Sequence, residues 1–275
     1  MGKYKPISSL QKETIILEKY ESHVARITLN RPEKRNAWNL KQIEDYFTTL
    51  EELEKDDFVK VVITTGTGPA FTAGRDLNEL RLIMLDPSKD SEGFTHYNIF
   101  DRVRLYPKVT IAAVNGICLG AGITLLVNHD IAIASLEKAK FGLPEISRGF
   151  VPRTQVSSLF KSIPRKWAFD MILTGQNFDA LKALQAGLVS RVVSHDELED
   201  ASLSLASSIG SSPNYDPVVL KCTKLGAHYA MDISEYNLAM EMGSNWYRIA
   251  RDSKLGLATE ALQSIKREDD PKPKS

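Results

Sequence analysis

The 275-residue chain has only two cysteines, Cys118 and Cys222. Two thiols cannot make a disulfide framework, and their scarcity points to a reducing compartment, so a cytoplasmic location is expected. No apolar run reaches the roughly 18 residues of a membrane-spanning helix, and no membrane partner is expected. The start, Met1-Gly-Lys-Tyr-Lys-Pro-Ile, lacks the apolar centre of a signal peptide, and Pro6 stands where a myristoylation signal wants Ser or Thr. Charge of one sign is not in excess: 35 Lys plus Arg balance 35 Asp plus Glu. That removes the electrostatic basis for general nucleic-acid binding. The five histidines, at 23, 96, 129, 195 and 228, keep no ligand spacing with one another or with cysteine, so no metal site is expected. A Gly-Lys-Ser/Thr phosphate loop, a complete dinucleotide glycine fingerprint and a Gly-x-Ser-x-Gly elbow are all missing.

What is present is ordinary globular material, 43% hydrophobic and 25% charged. That is enough for a sizeable core without staples. Ile15–Leu17 and Val24–Leu29 read as strands, followed by a turn over 30–34. From Asn39 onward Leu40, Ile43, Phe47, Leu50 and Leu53 recur every three or four residues, which is an amphipathic helix. Val61–Thr65, Thr110–Val114 and Ile131–Ile133 are short apolar runs suited to strands buried on both faces. Strands alternating with helices argue for an α/β fold. Beyond about residue 194 strand signals stop. Ser194-His-Asp-Glu197 has capping-box spacing and opens a helix that Gly210 can close. Helical spacing follows to about Ile265, so an α/β core over 1–194 and a helical region over 195–275 are expected. The helical region needs a surface to cover its apolar positions, on the core or on another subunit. The tail from Arg267 is polar and Pro-punctuated.

Glycine density rises in two stretches, Gly66-Thr-Gly-Pro-Ala-Phe-Thr-Ala-Gly-Arg-Asp76 and Val114-Asn-Gly-Ile-Cys-Leu-Gly-Ala-Gly122. Each follows an expected strand and enters an expected helix. Glycine there either serves a tight turn or lets the backbone approach a ligand with free N–H groups outward.

These stretches, with Asn30-Arg-Pro-Glu-Lys-Arg-Asn-Ala37 and Phe141-Gly-Leu-Pro-Glu-Ile-Ser-Arg-Gly149, resemble the successive signature blocks of the crotonase superfamily, the enoyl-CoA hydratase/isomerase family. Leu173-Thr-Gly and Ala186-Gly-Leu-Val-Ser-Arg-Val-Val193 continue the likeness in order, over about residues 12 to 267. The resemblance implies a ββα spiral core, C-terminal helices that assemble a homotrimer or a dimer of trimers, and an acyl-CoA substrate in fatty acid metabolism. CoA belongs to that substrate, so no separate cofactor is implied. By position, the backbone N–H groups of Arg75 and Ala121 form the oxyanion hole for the thioester carbonyl. Such amides are typically worth about 3–4 kcal/mol per donor. Lys34, Ala73 and Leu77 match positions that contact CoA, Lys34 near the phosphates.

The chain departs from the hydratase pattern of two glutamates. Glu145 matches the second, but Thr124 stands at the first, and a hydroxyl is no ordinary acid or base at neutral pH. One carboxylate suits moving a proton from the α to the γ carbon, so the resemblance implies double-bond isomerisation first and hydration second. A hydroxycinnamoyl-CoA hydratase-lyase ranks lower, because of the two positions where that branch has tyrosines one holds Leu80 and the other falls near Gly243. Loss of one acid also leaves open a non-catalytic binder of CoA thioesters. Arg148 and Arg153 follow Glu145 closely: either is a surface or inter-subunit arginine, or it lines the acyl pocket and there pairs with a carboxylate on the acyl group or lowers the pKa of Glu145. Cys118 reads as a small buried hydrophobe, His129 as structural, and Trp38 as a helix staple rather than an adenine contact. The charged stretch from Arg81 to Tyr106 reads as loop beside the acyl pocket.

Overall fold

A computed structural model describes residues 4–86, 88, 100–212 and 215–253. Strands β1 (Ser8–Gln11), β2 (Ile15–Tyr20) and β3 (Val24–Leu29) form an antiparallel meander. Helix α1 (Leu40–Glu54) follows, with Asn39 as its N-cap: the Asn39 side chain accepts from the Gln42 N–H at 2.9 Å. The periodic residues Phe47, Leu50 and Leu53 are buried, and Ile43 packs at the margin of the same cluster.

The chain then repeats a two-strand step. β4 (Val61–Gly66) leads to β5 (Ala70–Thr72) and α2 (Leu77–Leu85). After the short α3 (Asp101–Arg104), β6 (Val109–Val114) leads to β7 (Ile117–Leu119) and α4 (Ala121–Val127). β8 (Ile131–Ser135) leads to β9 (Lys140–Gly142), then to α5 (Arg153–Ser162), α6 (Arg165–Thr174), β10 (Phe178–Asp179) and α7 (Ala180–Gln185). β11 (Arg191–Val193) and α8 (Leu198–Gly210) complete the first compact unit, residues 1–214. The first strand of each step joins a seven-stranded sheet of order β1-β2-β3-β4-β6-β8-β11, and the second joins a four-stranded sheet of order β10-β9-β7-β5.

The central strands β4, β6 and β8 of the large sheet are buried on both faces, as their apolar runs require. Val62, Ala112, Val114, Ala132 and Ala134 face the main cluster with α1, while Val61, Ile63, Ile111, Ala113 and Ile133 meet Leu198, Leu203 and Ala206 of α8. This second cluster explains why the compact unit ends after Asn214 rather than at 194: α8 is the cover of the sheet's outer face. Gly210 does not close α8 through a left-handed cap. It is the last helical residue, and a Cβ there would lie 2.1 Å from the Ser22 carbonyl oxygen. The four-stranded sheet was not legible as such, because strands of two or three residues show no alternation.

Residues 215–275 form a second compact unit. Asp216 caps α9 (Pro217–Asp232), its carboxylate accepting from the Val218 N–H at 2.8 Å. Within this unit Tyr229 stacks on Trp246 of α10 (Tyr236–Ser253), their centroids 5.9 Å apart, and Gly226 leaves room for that indole. Of the expected charged loop, 81–85 belong to α2 and 101–104 to α3, while 87 and 89–99 lie outside the described residues, as does the tail from 267.

Candidate active site

β5, β7 and β9 are neighbouring parallel strands. Their carboxyl ends therefore emerge on one edge, about 4.8 Å apart. From that edge leave Ala73–Asp76, Gly120–Ala121 and Leu143–Glu145. Gly74 sits at φ +92°, and a Cβ there would lie 2.8 Å from the Leu119 carbonyl oxygen and 3.2 Å from the Ala121 nitrogen. Gly120 sits at φ +55°, and its Cβ would lie 3.0 Å from Oε1 of Glu145. Main chain thus meets main chain at the first two loops, and the carboxylate of the third rests over the second. Only glycine permits either approach.

Ala121 is the first residue of α4, so its N–H has no acceptor within the helix. The peptide ahead of Arg75 is oriented from its other end: the Gly74 carbonyl accepts from the Trp38 N–H at 2.8 Å, and the Asp76 N–H donates to the Trp38 carbonyl at 2.9 Å. Asp76 in turn caps α2, accepting from the Asn78 N–H, and pairs with Arg31 at 3.3 Å.

Glu145 is half-buried, and its Oε2 is buried with no hydrogen-bond partner. Burial raises its pKa above the usual carboxylate range. A backbone hydrogen bond and the positive charge of Arg148 pull it partly back. Its carbonyl accepts from the Arg148 N–H at 3.0 Å and the Phe150 N–H at 2.9 Å, which fixes the turn that presents the side chain. Thr124 is buried on α4, in the first turn of the helix that Ala121 opens.

Lys34 is exposed in a 3-10 turn over Pro32–Lys34, and the next residue, Arg35, accepts from the Ala73 N–H at 2.9 Å. Leu77 is exposed at the start of α2. These three border the first loop, while Arg148 is exposed beside Glu145. Arg153 opens α5.

Other sequence expectations resolve plainly. Cys118 is fully buried, and burial pushes its thiol pKa well above that of a nucleophile. Trp38 is fully buried, edge-on to Tyr46 and Phe100 at 5.3 and 5.2 Å, which is a core role. His129 joins two elements: one ring nitrogen lies 2.9 Å from the Leu125 carbonyl and the other 2.9 Å from the Thr64 hydroxyl, itself 3.0 Å from Tyr46 Oη. Among the described residues no cluster of three metal-ligating side chains occurs, and no helix is long and apolar enough to cross a membrane.

Two supporting residues escaped the sequence reading. Asn36 is fully buried at φ +53°; its side chain donates to the Thr67 and Ala70 carbonyls and accepts from the Arg31 N–H. An Asn before a small residue after a Pro-containing turn is a left-handed signal that was available. Thr72 gave none, since threonine is unremarkable at a strand end.

The enoyl-CoA hydratase/isomerase family matches residues 19–243. The short-chain-enoyl-CoA hydratase of Clostridium acetobutylicum is 35% identical over 224 residues, covering 81% of this chain and 84% of that protein. The 2,3-dehydroadipyl-CoA hydratase of Escherichia coli is 34% identical over 223 residues, covering 80% and 85%. An enoyl-CoA hydratase structure from Geobacillus kaustophilus superposes with a TM-score of 0.80 at 29% identity, over 92% of this chain and 97% of that one. Sequence blocks, two-sheet spiral and relatives agree: the chain belongs to the enoyl-CoA hydratase/isomerase family, within the crotonase superfamily.

Proposed function

We propose that this acyl-CoA enzyme moves a proton along an unsaturated acyl chain with Glu145 as its single acid/base, which makes double-bond isomerisation its reaction. The observation that carries the reading is the orphaned, buried Glu145 carboxylate oxygen, on a side chain that rests over Gly120. The Arg75 and Ala121 N–H groups would donate to the thioester carbonyl. As Glu145 removes the proton alpha to that carbonyl, the electron pair moves into the carbonyl oxygen, where two fixed donors favour it. Glu145 then returns the proton at the gamma carbon and the double bond shifts. Thr124 supplies a hydroxyl that holds the chain or a water, not a second base.

Hydration is the second reading, favoured because the two relatives named above are hydratases. In it Glu145 and Thr124 hold the water that adds to the beta carbon. Incubating the protein with 2-enoyl- and 3-enoyl-CoA in heavy water, with mass spectrometry of the products, separates them. Isomerisation converts the 3-enoyl to the 2-enoyl thioester without gain of water; hydration adds one heavy water. Absence of either product leaves a thioester binder. A glutaconyl thioester run beside a crotonyl one tests Arg148: equal rates would remove its pairing with an acyl carboxylate.

Only ionised Glu145 can accept the proton, so kcat/KM should rise with pH through a midpoint above the ordinary carboxylate range. Arg148 favours the charged form, so Arg148→Gln should move that rising limb to higher pH. A pH–rate profile that does not move would remove Arg148 from the electrostatics of the site.

A further inference from the structure

We infer that Thr72 sets the alignment of the two amides of the oxyanion hole, a positioning role that rests on the proton-transfer reading above. Thr72 ends β5 and is fully buried. Its hydroxyl donates to the Asn36 carbonyl at 2.7 Å and accepts from the Gly74 N–H at 3.2 Å. Its methyl faces the second loop, 2.8 Å from where a Cβ on Gly122 would sit, and its carbonyl oxygen is 3.1 Å from the same point. One side chain therefore touches the residue before Arg75 and the residue after Ala121.

The geometry of the peptide unit makes this consequential. The Gly74 carbonyl and the Arg75 N–H share one planar trans peptide and point in opposite directions. The Trp38 N–H fixes that carbonyl, and the Thr72 hydroxyl fixes the nitrogen on the other side of Gly74. Gly74, at φ +92°, has no Cβ to limit its rotation. Its two hydrogen bonds, one on each flank, hold the direction of the Arg75 N–H together with the bond from the Asp76 N–H to the Trp38 carbonyl. The acceptor for the Thr72 hydroxyl is itself immobile, because the Asn36 side chain is tied to three backbone groups.

Thr72→Val keeps the methyl against Gly122 and removes the hydroxyl; Thr72→Ser keeps the hydroxyl and removes the methyl. Each is measured for kcat, for affinity toward free CoA, and for the ultraviolet absorbance of the enolate formed by bound acetoacetyl-CoA as pH is varied. The last readout reports the oxyanion hole without turnover. Thr72→Val should lower kcat about 10- to 100-fold, a loss typical of a small misplacement of catalytic groups. It should also shift enolate formation to higher pH, with CoA affinity within about twofold. Thr72→Ser should recover most of both. Wild-type kcat and enolate titration in Thr72→Val would overturn the inference. So would equal losses in both variants, or a loss that falls on CoA affinity instead. Absence of both turnover and enolate in the wild type would instead defeat the proton-transfer reading itself.

Discussion

Glu145→Gln is expected to lower kcat about a thousandfold while leaving affinity for free CoA within a small factor. Glutamine keeps the volume over Gly120 and the backbone turn held by the Arg148 and Phe150 N–H groups, but it cannot accept a proton. The same substitution should raise thermal stability in a pH-dependent way. The fold raises the pKa of Glu145 by burial, so it prefers the protonated side chain. The stability that preference contributes is complete at acid pH and is lost as pH rises through the folded-state value. Glutamine stays neutral throughout. Wild type and variant should therefore melt alike in acid and diverge toward neutral pH, the variant higher. Turnover by Glu145→Gln close to that of the wild type would exclude Glu145 as the acid/base.

Gly116→Ala is expected to be the most damaging single methyl in the core unit. Gly116 joins β6 to β7, and a Cβ there would lie 2.1 Å from the Pro69 carbonyl oxygen and 2.6 Å from the Pro69 carbonyl carbon. Both are backbone atoms of the turn between β4 and β5, and the Ile117 N–H donates to that same oxygen at 3.2 Å. Nothing there can swing aside as a side chain would. A cost of about 3 kcal/mol or more follows, at the upper end of overpacking penalties. That lowers the melting temperature by on the order of 10 °C in a chain of this size. Gly187→Ala is the comparison. Gly187 has φ +74° but nothing within 4 Å of its Cβ position, so only backbone strain of about 1 kcal/mol applies. If the two variants melt together, close contact between the two turns is not what fixes Gly116.

Both glycine positions bear on what the sequence disclosed. The buried strands of the large sheet were legible because Val61–Thr65 and Thr110–Val114 are continuous apolar runs, and α1 because five apolar residues hold a helical period behind Asn39. The site loops were legible as glycine-bearing turns, and Glu145 through its block. The four-stranded sheet that stacks those loops was not, since its strands are too short to carry a pattern. Nor was the reason for Gly116 or Gly210, which is contact with distant backbone and leaves no trace in neighbouring residues. Asn36 and Thr72 act through hydrogen bonds to main-chain atoms far along the chain, a relation that residue type alone does not encode.

The interleaving of two sheets carries a consequence for assembly. Gly74, Ala121 and Glu145 come from three separate windings of the chain and meet only when each winding has laid its second strand against the one before. No single winding holds a working fragment of the centre. Such non-local pairing forms late, after the long loops between partners have closed. During refolding, helical signal should return ahead of enolate-binding capacity, and catalytic competence should mark the end of the process.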